Sequence, residues 1–215
     1  LKKVRINGYI NTRTNEFVEI AIADFLKHNF NQRHEGMLPK MAFFAATINE
    51  LQEELRPAVE EALAKYNIPT SSILVNVGDE KLTSNDDIRE FNRLDTPESN
   101  KQFILLVNKG REGWNCRSLF GVALFRQPRS KIFVLQATMR CLRAIGEAQQ
   151  TGHVYLSDDN QEILDNELQQ NFRISIQEME ELGKDKEIVT VHPVPPPVKI
   201  KLRRVRRTFD IKEKN

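Results

Sequence analysis

Short apolar runs recur along the chain: "MAFFAAT" at 41–47, "SILVNVG" at 72–78, "QFILLVN" at 102–108, "LFGVALF" at 119–125 and "HVYLS" at 153–157. Each predicts a strand buried on both faces. Between them the apolar period lengthens to that of a helix. In "NELQEELRPAVEEALAKY" (49–66), Leu51, Leu55, Val59, Ala62 and Tyr66 fall on one stripe, with Asn49 placed to cap the start. Pro57 is expected to kink that helix or begin a second one. A shorter helix is predicted over "DDIREFNRL" (86–94) and a longer one over "SKIFVLQATMRCLRAI" (130–145), with Ser130 as its N-cap. Strand and helix alternate without internal repeats, which predicts an α/β fold with an open parallel sheet flanked by helices.

The two ends differ from this middle. Residues 1–36 hold an extended opening and the amphipathic "FVEIAIADFLKHNF", read as a connecting segment from a preceding module. The layered domain is expected over 37–183, closing with a polar helical stretch at 159–182. Residues 184–215 carry "VTVHPVPPPVKIKLRRVRR", a proline-rich linker and basic extension leading into a following module. The chain opens on Leu1 rather than methionine, as expected of a fragment cut from a longer protein.

Composition narrows the classes of function. The 215 residues are 40% apolar and 29% charged, with a net charge of only +2, so any nucleic-acid site must be a local patch. Cys116 and Cys141 lack CxxC spacing and the four histidines are scattered, so neither a disulfide framework nor a metal site is expected. No apolar run approaches the roughly 18 residues needed to span a bilayer, and no signal peptide opens the chain. A soluble, cytoplasmic protein without a membrane partner is expected.

Candidate chemistry gathers around one loop and one helix. Ligands of open parallel sheets bind beyond the carboxyl ends of the strands, and "NKGREGWN" (108–115) leaves such an end. Gly110 and Gly113 permit close approach while Lys109, Arg111 and Glu112 bring charge, a combination suited to phosphate and equally to a plain surface turn. In "QATMRCLR", Gln136, Arg140 and Arg143 stand at i, i+4 and i+7, on one face of the predicted helix. Leu135, Met139 and Leu142 form the neighbouring stripe that packs on the sheet. An isolated pair of arginines would read as a solvated basic face; this pair follows a glycine-rich loop and a buried strand, so loop and helix are expected to converge.

"REGWN", a strand and then "QATMRCLR" resemble motifs V and VI of superfamily 2 helicases and translocases. The restriction subunit of type III restriction enzymes, whose motors carry an EGW loop, is the nearest resemblance, best over about 37–157. The resemblance implies a RecA-like domain, the second of two in an ATP-dependent DNA translocase or helicase. It assigns Arg140 and Arg143 to the phosphates of ATP bound by a preceding RecA-like domain, with Arg143 as the arginine finger. Gln136, Gly113 and Asn115 would lie near the nucleotide, and Asn108, Lys109 and Arg111 near the nucleic-acid path. ATP and Mg2+ would be held mainly by the other motor domain, and a methyltransferase subunit is a further implied partner. Two residues depart from the pattern: Asn115 stands where aspartate is usual and Met139 where glycine is common.

The chain has no GxxxxGK[ST] loop, so by itself it is expected to hydrolyse no ATP. In "VKIKLRRVRR", Lys199, Lys201, Arg203 and Arg204 suit contact with a phosphate backbone, or the charged edge of a solvated strand. Trp114 suits base stacking or anchoring of its loop in the core. The alternative to the motor is a catalytically silent RecA-like module that binds nucleic acid or a partner subunit. A Rossmann-type enzyme is disfavoured because no GxGxxG turn follows a strand.

Overall fold

A computed structural model describes residues 1–78, 83–107, 114–125 and 130–181. They belong to the first of two units, Leu1–Lys184. The second unit, Asp185–Asn215, with Lys199, Lys201, Arg203 and Arg204, lies outside the described residues.

The apolar runs form strands close to where the pattern puts them: β2 (Lys40–Ala45), β3 (Ile73–Asn76), β4 (Phe103–Val107), β5 (Leu119–Leu124) and β6 (Thr151–Ser157). A further strand, β1 (Lys3–Tyr9), lies at the edge, and the six pair in the order β1-β6-β5-β2-β4-β3. Every pairing is parallel. Parallel strands need crossovers, and helices supply them on both faces, which is why β2, β4 and β5 are buried along their whole length.

Successive residues feed opposite cores. Met41, Phe43 and Ala45 of β2 face one layer, with Phe25 of α1 (Asn15–Asn29) and Val59 of α3 (Arg56–Ala64). Ala42 and Phe44 face the other, with Val134 of α5 (Lys131–Met139) and Leu164 of α6 (Asp158–Phe172). Gly121 of β5 leaves room for the first layer, since a Cβ there would lie 2.9 Å from Met41 Cγ and 3.0 Å from a Phe25 ring carbon. The polar stretch near the end supplies α6 and the short α7 (Ile176–Glu181).

Three expectations change. Residues 1–36 are not a mere connector: β1 pairs with β6 from Lys3↔Thr151 to Tyr9↔Ser157, and α1 buries Phe17, Val18, Ala21, Ile22 and Phe25. The helix after β2 is capped by Thr47 rather than Asn49, its hydroxyl accepting from Glu50 N while the Glu50 carboxylate accepts from Ala46 N. That helix runs from α2 (Ile48–Glu50) through a π turn (Leu51–Leu55) into α3, where Pro57 sits in the first turn and its missing N–H costs nothing. The third change concerns α5 and bears on the site. Among the described residues no helix is long and apolar enough to cross a membrane.

Candidate nucleotide-facing site

The predicted helix over 130–145 ends at Met139. A 3-10 turn follows (Arg140–Leu142), and Arg143 has extended backbone, φ −65° and ψ 125°. Tertiary packing stops the helix: Leu142 O accepts from Lys2 N at 2.8 Å, and the start of β6 abuts the turn so closely that a Cβ on Gly152 would lie 3.0 Å from Cys141 O. Gln136, Arg140 and Arg143 therefore do not share one helical face. Gln136 is exposed on α5, one turn before Arg140, and Arg143 lies beyond the helix.

The two arginines converge nonetheless, through a different device. Arg140 Nη1 donates to Trp114 O at 2.6 Å, and Arg143 Nη1 reaches the same carbonyl at 3.4 Å while donating to Asn115 Oδ1. Trp114 is 8% exposed and stacks on Phe91 of α4 (Asn85–Asn92), centroids 5.2 Å apart, so it anchors its segment in the core. The Arg140 guanidinium also lies 5.9 Å from the Trp114 ring centroid. Segment 114–118 is fastened further along by Asp95, whose carboxylate accepts from Arg117 N (2.5 Å), Ser118 N (2.9 Å) and Ser118 Oγ (2.6 Å). Burial would raise the Asp95 pKa; the hydrogen bonds from Ser118 and Arg117 outweigh it and hold the carboxyl below its ordinary value.

The electrostatics are those of a half-finished anion site. Arg140 is half-buried and its Nε has no hydrogen-bond partner among the described residues; burial, and then the charge of Arg143, lower its pKa. Among the described residues neither arginine meets a carboxylate within salt-bridge distance, whereas Arg13, Arg56, Arg89 and Arg117 all do. Two like charges on one carbonyl, with a desolvated donor left over, favour an incoming anion able to take several N–H groups at once.

The position differs from expectation. Helix α5 follows β5 and runs back against the strands, so its last turn lies at the amino edge of β1 and β6. Segment 114–118 returns to the same edge, where Ser118 O accepts from Lys40 N at the start of β2. The general rule of ligands beyond carboxyl ends thus does not locate the arginine pair. Asn108, Lys109, Arg111 and Gly113, the loop residues assigned to nucleotide and nucleic acid, lie outside the described residues. Asn115 is exposed at the pair itself, partnered by Arg143. The role of the Trp114 carbonyl has no signal in sequence, because any residue supplies a carbonyl; nor does the Asp95 clamp, which is a lone aspartate between α4 and β4.

The sequence matches no protein-family model, and no curated protein matches it. Solved structures do match in fold. Domain 2 of the DEAD-box helicase Mss116p, solved with an RNA duplex, aligns over 80% of this chain and 60% of its own, at 18% identity and a TM-score of 0.53. The Mycobacterium smegmatis helicase Lhr, bound to ssDNA and AMP-PNP, aligns over 79% of this chain and 22% of its own, at 14% identity and a TM-score of 0.54. Mss116p bound to ssRNA and AMP-PNP aligns over 81% and 31%, at 15% identity and a TM-score of 0.55. The chain therefore has a RecA-like α/β fold similar to that of Mss116p domain 2, and it spans 60% or less of each of these three structures.

Proposed function

We propose that this chain is the second RecA-like domain of an ATP-dependent DNA translocase or helicase of the type III restriction enzyme class. It would supply an arginine pair to ATP bound by a preceding motor domain. One observation carries the reading: Arg140 and Arg143, held on different backbone elements, meet at one carbonyl with no acidic partner among the described residues. The solved structures of Lhr and Mss116p with nucleic acid and AMP-PNP support it by likeness of fold.

In this reading Arg140 is the fixed member, seated on Trp114, and Arg143 the movable one, exposed and held by an amide oxygen. When the domains close, the Arg143 guanidinium exchanges Asn115 for phosphate oxygens. It then stabilises the charge that develops as the phosphoryl group transfers, a contribution worth roughly 10³ to 10⁵ in rate. Mg2+ would be held mainly by the other domain, where it would offset the phosphate charge. Gln136, Gly113 and Asn115 would lie near the nucleotide, and Asn108, Lys109 and Arg111 near DNA. A modification (methyltransferase) subunit is the further partner implied by the class.

The test compares this chain with a protein carrying both motor domains, measuring ATP turnover with and without duplex DNA. DNA-stimulated turnover by the two-domain protein, and none by the chain alone, is the expected result. No turnover under either condition would leave the silent nucleic-acid-binding module, the reading that Asn115 in place of aspartate favours.

A further inference from the structure

A second constellation lies away from the arginines, where α1 crosses β6. Asp24 and His28 stand one helical turn apart on α1, and His153 comes from β6. One ligand atom from each lies within 4.8 Å of the others. The His28 Nε2–Asp24 Oδ1 distance is 3.5 Å and the His153 Nδ1–Asp24 Oδ2 distance is 3.4 Å. Both are long for a hydrogen bond, which falls at about 2.7–3.2 Å. An oxygen and a nitrogen each about 2.0–2.1 Å from one tetrahedral ion are about 3.3 Å apart, and each histidine meets one of the two Asp24 oxygens at close to that spacing.

The surroundings are those of a metal site. His153 is only 4% exposed, and among the described residues its Nδ1 makes no hydrogen bond of ordinary length, although it faces the Asp24 carboxylate at 3.4 Å. The His28 and His153 rings stack with centroids 4.5 Å apart. Tyr155 donates to Asp24 Oδ2 at 2.8 Å, the kind of outer hydrogen bond that orients a ligating carboxylate. A groove of about 390 Å³ borders both histidines and also reaches Glu180 and Glu181, giving access and room for water as a fourth ligand. His28 is the exposed member of the three.

We propose that Asp24, His28 and His153 bind a borderline transition-metal dication of the zinc class, tying α1 to β6. Two imidazoles and one carboxylate suit such an ion and not calcium or magnesium, which prefer all-oxygen shells. The spacing of histidines in sequence conceals the site, because its third ligand joins only when β6 enters the sheet.

Isothermal titration of the 215-residue chain with zinc chloride tests this, with cobalt(II) as a spectroscopic probe. The wild type is expected to take up one equivalent of zinc and to give intense visible cobalt bands of a tetrahedral site. Tyr155→Phe, which preserves the buried ring, is expected to weaken binding about 10- to 100-fold. His28→Ala removes an exposed side chain, leaves the core packed and is expected to weaken binding further. Absence of zinc uptake by the wild type, or equal affinity in His28→Ala, overturns the proposal.

Discussion

Two pairs of cations lie along the amino edge of this sheet, and their surroundings differ in kind. Lys2 donates to Arg117 O at 2.6 Å and Leu119 O at 2.7 Å, with its ammonium 4.0 Å from the Phe120 ring centroid. Lys40 donates to Lys101 O at 2.9 Å and Leu38 O at 3.2 Å. Each lysine is held by two backbone carbonyls, and burial depresses each pKa to about 8. Arg140 and Arg143 instead compete for one carbonyl, leave Arg140 Nε unpaired among the described residues, and repel each other. A cation that completes its own hydrogen bonds holds a fold together; a cation left short of acceptors is placed for something that arrives.

Breaking the arginine pair should give the largest effect. In a protein with both motor domains, Arg143→Ala is expected to lower DNA-stimulated ATP turnover by roughly 10³ to 10⁵. The unfolding free energy from urea titration should change little, by no more than about 0.5 kcal/mol, because the side chain is exposed. A stability loss that accounts for the lost turnover would put Arg143 with the lysines.

Next in size is Asp95→Ala, which strips acceptors from Ser118 and the Arg117 amide in the segment that presents Trp114. A loss of about 3 kcal/mol in urea unfolding is expected. A change below about 1 kcal/mol would mean that the clamp does not set the segment.

The lysines sharpen the contrast through pH. With a folded pKa of about 8 for Lys40 against the ordinary 10.5, the unfolded chain holds more protons between those values, so stability rises with pH across that window. Wild type should therefore gain on Lys40→Met from pH 8 to 10, by at most about 1.4 kcal/mol per pH unit. Cys141, pushed up to about 12, acts in the opposite sense but is common to both proteins and cancels; Cys116, also pushed up to about 12, is drawn down by Lys40, so losing Lys40 pushes it further up and it stays protonated in both folded proteins from pH 8 to 10. A gap that is flat with pH would contradict burial of the charge.

The smallest effect belongs to Asn115→Asp, which gives Arg143 an exposed acidic partner. A gain of at most about 1 kcal/mol in stability is expected. A gain beyond about 2 kcal/mol would show that Arg143 sits in a desolvated pocket rather than at an open surface.

The strands were legible because parallel strands covered on both faces read as unbroken apolar runs, as in "QFILLVN" and "LFGVALF". β1 was not: at the sheet's edge its residues Lys3, Arg5 and Asn7 stay partly or fully exposed, so the apolar signal fades. The arginine pair was legible as residues but not as geometry. Helical spacing put Arg140 and Arg143 on one face, whereas docking of Leu142 on Lys2 and of Cys141 against Gly152 ends the helix after Met139. Convergence on Trp114 O restores by tertiary contact what the periodicity seemed to promise. Asp24, His28 and His153 escaped because a pair one turn apart on a helix acquires its third member from a strand far along the chain.

The most direct test is the structure of the two-domain protein with DNA and a non-hydrolysable ATP analogue. The Arg143 guanidinium is predicted to leave Asn115 and lie about 2.7–2.9 Å from terminal phosphate oxygens, with Arg140 still seated on Trp114. Arg143 remaining on Asn115, with the phosphates met by other groups, would contradict the account.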